Sequence, residues 1–408
     1  MAKVTAPCLS LSAKGMVDKK LVFQKRPSGH AVFWNKGHAD IESEGQLTVR
    51  NRFIDAKNAW LLLTDVAKQS YNDLAKEYAE KGQVMTGYNL FIKQYEAPPA
   101  GLVWSETQPA GVVDKNWMRG AIDNNGSNQI VCSALGRIYI SSNYGASWNE
   151  ALPDGNNDRN WYGVATNGNG EVLGACAFGA RLYISTDYGA SWVVRWPAGA
   201  SSKNWYGIAI DQSGAIIFAC YGPGRVYRSV DYGANWEEVQ PAGATTKNWV
   251  DINISDDGQK VIVCAYSGLV YISDDGGDSW SVTYPDGAGI RTWWRVDVSG
   301  DGNYLSAGQQ SGRCFISSDF GANWNEVQPA GVVDKNWRSV ALSETGKDML
   351  FGCDSGRLYL SDDFGVTWTD QQITGDEDKN WRLGATNLDG TRLLGGYSSG
   401  RLYRGVVS

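Results

Sequence analysis

Histidine is almost missing from these 408 residues: there are two, and both lie before residue 40. Nucleophile systems that pair Ser or Cys with His are thereby excluded from the rest of the chain. The seven cysteines include no Cys-x-x-Cys pair, so neither a Cys/His zinc site nor any cofactor is expected. No apolar run approaches the roughly 18 residues of a membrane helix, and the opening MAKVTAPCLSLSAKG has no apolar secretory core. Membrane insertion is not expected. What the chain has in excess is 49 Gly, 18 Trp and 20 Tyr, which implies many tight turns, many large flat side chains and little helix.

Charge divides the sequence. Residues 1–100 carry a balance of +4, and the remainder a balance of −11. A large acidic body argues against nucleic acid as a partner, because phosphate contacts need clustered positive charge.

The larger part is a repeat. Trp recurs at Trp117, Trp161, Trp205, Trp249, Trp293, Trp337 and Trp381, always 44 residues apart. A second series runs through Trp148, Trp192, Trp236, Trp280, Trp324 and Trp368 at the same spacing, and one step back lands on Trp104. Each unit reads as four short strands. In the third, WYGIAID, AIIFACY, RVYRS and NWEEVQ are separated by Gly-containing turns. Four strands per 44 residues fit a propeller blade, and one blade cannot bury both its faces alone. The fold class expected is mainly β: a seven-bladed β-propeller over residues 101–408, behind a small N-terminal α+β domain. The last unit stops before its fourth strand, so Val103-Trp104-Ser105-Glu106 is expected to complete it and close the ring.

The turn before the second Trp reads Ser-x-Asp/Asn-x-Gly-x-x-Trp six times, for example STDYGASW at 185–192 and SVDYGANW at 229–236. Its acceptor positions are Asn143, Asp187, Asp231, Asp275, Asp319 and Asp363. The motif resembles the Asp-box, or bacterial neuraminidase repeat, of sialidases and many non-enzymatic propellers. That resemblance implies a structural turn on the edge away from the functional face.

Two connections recur on the opposite edge. The link between blades supplies Asn116, Asn160, Asn204, Asn248, Asn336 and Asn380, each just before a ring Trp. A Gly-Arg turn supplies Arg137, Arg181, Arg225, Arg313, Arg357 and Arg401, with Leu269 as the exception. Trp with Asn and Arg suits sugar, the ring packing on a pyranose face and the polar groups meeting its hydroxyls. The same residues also suit interblade packing, turn capping and ion pairing, and repetition alone does not separate the two readings. Catalysis is not expected. A sialidase needs an arginine triad, a Glu-activated Tyr and an acid at different places around a ring that is usually six-bladed. Cys132, Cys176, Cys220 and Cys264 share one place in successive blades and are expected to be small buried hydrophobes.

Residues 1–97 differ. A hairpin over 16–35 turns at Arg26-Pro27-Ser28-Gly29, and helical patterns follow over 44–63 and after Thr64. The segment Ala97-Pro98-Pro99-Ala100 reads as a stiff linker, its core at 98–100. The opening, the hairpin, Arg50 and Arg52, Trp60-Leu61-Leu62-Leu63-Thr64 and GYNLFIK (87–93) resemble a domain at the start of many phage-encoded proteins. It departs from them in having no Pro-rich segment between Asn35 and Gly45. The resemblance implies a virion component assembled in the host cytoplasm, oligomeric in the particle, and bound to other virion proteins through residues 1–97. The propeller is then expected to attach to host-surface glycans, or alternatively to further virion proteins.

Overall fold

A computed structural model describes residues 101–407 apart from Asp376, the backbone of Leu21–Arg26 and Gly29–Trp34, and Lys68. The chain divides into two compact units, Met1–Pro98 and Pro99–Ser408. In the first, Leu21–Arg26 and Gly29–Trp34 pair antiparallel, with Arg26 opposite Gly29. The expected helices over 44–63 and after Thr64 lie outside the described residues, apart from Lys68, which is helical.

The second unit is a seven-bladed β-propeller of four-stranded antiparallel sheets. Blade 3 is representative: Trp205–Ile210, Ile217–Tyr221, Val226–Ser229 and Glu237–Val239, in that order outward. The first strands of neighbouring blades pack side by side around the axis. Blade 7 takes three strands from the end of the chain and its fourth, Val103–Thr107, from the beginning. Trp104 pairs with Gly405 and Glu106 with Tyr403, and the Trp104 indole N–H donates to Gln371 Oε1 on blade 6 at 3.0 Å.

The recurring turn is held by its own polar groups. Asp187 Oδ1 accepts from the Ser185 hydroxyl (2.7 Å) and the Ser191 N–H (2.8 Å), while Ser185 Oγ accepts from the Gly189 N–H (2.9 Å). The Ser279 hydroxyl and N–H bring Asp275 down to about 2 in the equivalent turn. In five of the six turns an aromatic with positive φ (Tyr144, Tyr188, Tyr232, Phe320 or Phe364) stands before the Gly, and Gly276 takes that place in the sixth. Bulky residues rarely adopt that conformation. The compensation is a contact with the preceding blade, sixty positions back in the cycle. Phe364 stacks on Tyr304 at 5.3 Å, Phe320 lies under the Lys260 ammonium, and Tyr144 under the Arg392 guanidinium.

Candidate functional site

Burial separates the candidate residues at once. All seven ring indoles, Trp117, Trp161, Trp205, Trp249, Trp293, Trp337 and Trp381, are at most 2% exposed. Each lies between two blades. Trp161 donates from Nε1 to the Gly136 carbonyl of the preceding blade at 3.1 Å and meets Tyr183 of its own blade edge-on at 5.3 Å. An indole closed off on both faces offers nothing to a sugar, so of the two readings left open above the Trp ring takes that of interblade packing.

Three of the six side-chain amides are occupied through their oxygens as well. Asn336 and Asn380 accept through Oδ1 from the N–H of Ser311 and Ser355, and Asn116 from that of Ser399. Those serines sit at positive φ in the turn between second and third strands, so each Asn caps a left-handed turn of the preceding blade. In the other links the main-chain carbonyls of Asn160, Asn204 and Asn248 take the N–H of Phe178, Gly222 and Tyr266.

The arginine ring follows a pairing rule. Arg137 pairs with Asp158, Arg313 with Asp334 (2.8 Å), Arg357 with Asp378 (2.8 Å) and Arg401 with Asp114 (2.9 Å). The acid always stands three residues before a ring Trp. Where the link carries Ser202 or Thr246 there instead, Arg181 stacks on Trp196 and Arg225 reaches Glu238. Where the arginine is Leu269, the link position is Ile290. Two positions that change together around the ring belong to one interblade joint, so these arginines too are structural. The cysteines Cys132, Cys176, Cys220, Cys264, Cys314 and Cys353 are free and buried, and burial pushes the Cys132 thiol up to about 12. Among the described residues no group of three or more His, Cys, Asp or Glu could hold a metal ion.

What remains distinctive is where the repeat breaks. The residue after each ring Trp reads Met118, Tyr162, Tyr206, Val250, Trp294, Arg338, Arg382 around the cycle. The next reads Arg119, Gly163, Gly207, Asp251, Arg295, Ser339, Leu383. These fall on the innermost strands, at the mouth of the axial channel on the link edge. The channel is a cavity of about 210 Å³ lined by, among others, Arg119, Arg295, Arg338 and Arg382.

One side of the mouth is aromatic. Tyr162, Tyr206 and Phe178 pack mutually at 5.1–5.7 Å, and Tyr266 meets Trp294 edge-on at 5.4 Å. Gly207 keeps this side tight, because a Cβ there would stand 3.1 Å from the Ile252 nitrogen. The other side is charged. Asp354 accepts from Arg338 at 2.6 Å and from Arg382 at 3.5 Å, and the Arg338 guanidinium covers the Trp294 ring at 4.4 Å.

Deeper in, Arg119 of blade 1 reaches across the channel to Asp251 of blade 4. Burial works against the Arg119 charge, but the Asp251 carboxylate more than offsets it and holds the guanidinium above its ordinary value. Asp251 Oδ2 accepts from the Val296 N–H (3.1 Å) and Asp297 Oδ2 from the Leu342 N–H (2.8 Å), bolting blade 4 to 5 and 5 to 6. Burial pushes Asp297 up to about 7. Arg295, also buried, donates to the carbonyls of Arg338 (2.7 Å) and Trp294 (3.0 Å); burial, and then Arg119, bring it down to about 9.

The far end of the channel lies about five residues further along the strands, roughly 16 Å away. It carries Asp256 and Glu344. Burial, followed by Glu344, Asp257, Asp301 and Asp211, raises Asp256 to about 6. A carboxyl raised in the folded state costs stability as pH climbs from its unfolded value through the folded one. Asp256→Asn is therefore expected to raise the melting temperature at pH 8 and to change it little at pH 3, below both pKa values, as calorimetry at the two pH values would show.

No family model and no curated protein matches this chain. Solved structures do. A YCF48 protein bound to D1 peptide aligns over 77% of this chain and 97% of its own, with TM-score 0.59 and 14% identity. YCF48 from Cyanidioschyzon merolae covers 74% and 98%, with TM-score 0.58 and 12% identity. The GH74 xyloglucanase from Xanthomonas campestris covers 74% and 53%, with TM-score 0.56 and 16% identity. The likeness is one of fold. The Asp-box and phage-domain likenesses remain resemblances.

Proposed function

We propose that this chain is a non-catalytic recognition propeller that binds a polypeptide partner at the link-edge mouth of its axial channel. The observation that carries this is the set of residues there that break the repeat, aromatic at Tyr162, Tyr206 and Trp294 and cationic at Arg338 and Arg382, each directly after a ring Trp that never varies. The interblade joints of Trp, Asn and Arg recur from blade to blade; a single ligand site has no need to recur. A YCF48 propeller solved with a D1 peptide supports the coarse statement that such a body can bind protein. The GH74 likeness points towards hydrolysis instead. Against that, both oxygens of Asp354 are engaged by guanidiniums, and Asp297 is bonded into the strands, so neither carboxyl is free to meet a glycosidic bond. A glycan remains the second reading, favoured by the ledge that Phe178, 36% exposed, forms with Tyr162 and Tyr206.

The virion setting belongs to the same proposal: residues 1–97 attach the protein to the particle and the propeller is displayed. Mass spectrometry of purified particles tests that half, and absence of the chain from them sinks it. The ligand half is tested by applying the full chain to a peptide array and a glycan array beside Trp294→Ala. Peptide signals weakened tenfold or more by the substitution support the reading. Glycan signals with the same sensitivity favour the second reading, and release of sugar would make the protein an enzyme.

A further inference from the structure

The charges at the mouth do not cancel. Among the described residues the link-side half of the channel holds four guanidiniums, Arg119, Arg295, Arg338 and Arg382, against three carboxyls, Asp251, Asp297 and Asp354. Asp251 is committed to Arg119, and its second oxygen to the Val296 N–H. Asp297 is committed to Asn253 and to the N–H groups of Leu342 and Val298. Asp354 alone is shared between Arg338 and Arg382, and it holds the latter only at 3.5 Å.

Arg295 is the more telling residue. Its side chain is buried, yet the acceptors it meets are main-chain carbonyls rather than a carboxylate. Arg119 Nε is likewise buried with no hydrogen-bond partner. A buried cation bonded only to carbonyls is costly; the nearby Asp251 carboxylate acts on Arg295 but is already paired with Arg119. The Gly163 and Gly207 positions show that the same place in the blade accepts a neutral residue.

We infer that the mouth is built to receive a carboxylate from an acidic segment of the protein partner, gripped by Arg338 and Arg382 with Arg295 behind them. The inference rests on the protein-recognition reading above. A carboxylate placed opposite Asp354 would give the two guanidiniums an anion on each side and bring the count to four against four. Guanidinium forks suit that ligand because two parallel N–H groups match its two oxygens. The aromatic arc from Tyr162 to Trp294 would cover the flanking residues of the segment. The propeller body is acidic overall, so only an anion directed to this mouth gains from it. Attraction at longer range is screened by salt.

The test uses the full chain, fluorescein-labelled hexaglutamate and hexaglutamine peptides, and oligogalacturonate as competitor, read by fluorescence anisotropy at low ionic strength. Charge-assisted hydrogen bonds of this kind lead us to expect hexaglutamate to bind at least about tenfold tighter than hexaglutamine. Arg382→Gln, at a half-exposed position, should abolish the preference, and Arg382→Lys should restore part of it, with melting temperatures confirming that both variants fold. Equal affinities for the two peptides overturn the inference alone and leave the site standing, as does a preference that survives in Arg382→Gln. Failure of hexaglutamate to bind at millimolar concentration also overturns it. Oligogalacturonate binding where hexaglutamate does not would overturn it together with the protein-recognition reading.

Discussion

Deleting residues 1–107 is expected to destabilise the propeller by on the order of 3–6 kcal/mol relative to deleting 1–98. The shorter deletion spares Val103–Thr107, which fills the outer position of blade 7; the longer one leaves Leu402–Val406 as an unpaired edge. The lost strand pairs five residues with that edge, and each net backbone hydrogen bond is worth about 0.5–1.5 kcal/mol. Trp104 adds less than a core indole would, because it is only partly buried, whereas full removal of a buried Trp typically costs about 3–5 kcal/mol. Its bond to Gln371 and the Thr107 hydroxyl bond to Gly145 tie the strand to blades 6 and 1 as well. At about 2.1 cal/mol/K of unfolding entropy per residue, each kcal/mol lowers the melting temperature of a domain this long by roughly 1.5 °C, so the gap should be on the order of 5–9 °C. Matched melting curves for the two truncations would mean that the ring does not depend on this strand.

The second large effect separates packing from pairing on the link edge. Trp205→Ala is expected to cost about 3–5 kcal/mol, since it empties the space between blades 2 and 3 among Cys176, Leu182, Ile208 and Tyr227. Arg225→Ala should cost no more than about 1 kcal/mol, because its ion pair with Glu238 is a partly exposed contact at 3.5 Å. Urea denaturation of the two single variants measures this directly. A small effect for Trp205→Ala would reopen the ring as a ligand surface; a large one for Arg225→Ala would mean that its partner is misassigned.

That contrast marks the limit of what the sequence discloses. A strict 44-residue period makes blade number, strand order and closure readable, because a turn or core residue has to repeat wherever the same joint repeats. The chemistry of a repeated residue does not say which way it faces: a ring of Trp, Asn and Arg looks the same on paper whether it grips a sugar or the next blade. The interblade role of the arginines was nevertheless legible in the pairing of Leu269 with Ile290 and of Arg225 with a link lacking Asp. The mouth was legible too, in the positions that refuse the repeat. Tyr162, Trp294, Arg338 and Arg382 stand beside the most regular residues of the chain, where the eye follows the Trp and passes over its neighbour. Their convergence at one place follows from first strands lining an axis, which is a fact of three dimensions. The charge imbalance among Arg119, Asp251 and Arg295 is invisible without it, since these residues come from blades 1, 4 and 5.

Because Val103–Thr107 pairs with Leu402–Val406, the earliest strand of the propeller to leave the ribosome is among the last to find its partner. Roughly 300 residues must be made in between, which at about 5–20 residues per second takes on the order of 15–60 s. Throughout that interval the nascent chain is an open arc with a bare sheet edge at its growing end, and exposed edges of that kind invite pairing with other chains. The crowding of several ribosomes on one message would bring identical arcs together. Slow or paused translation near the final blade should therefore lower the yield of closed monomer and raise that of strand-exchanged dimers, even though the finished ring is stable.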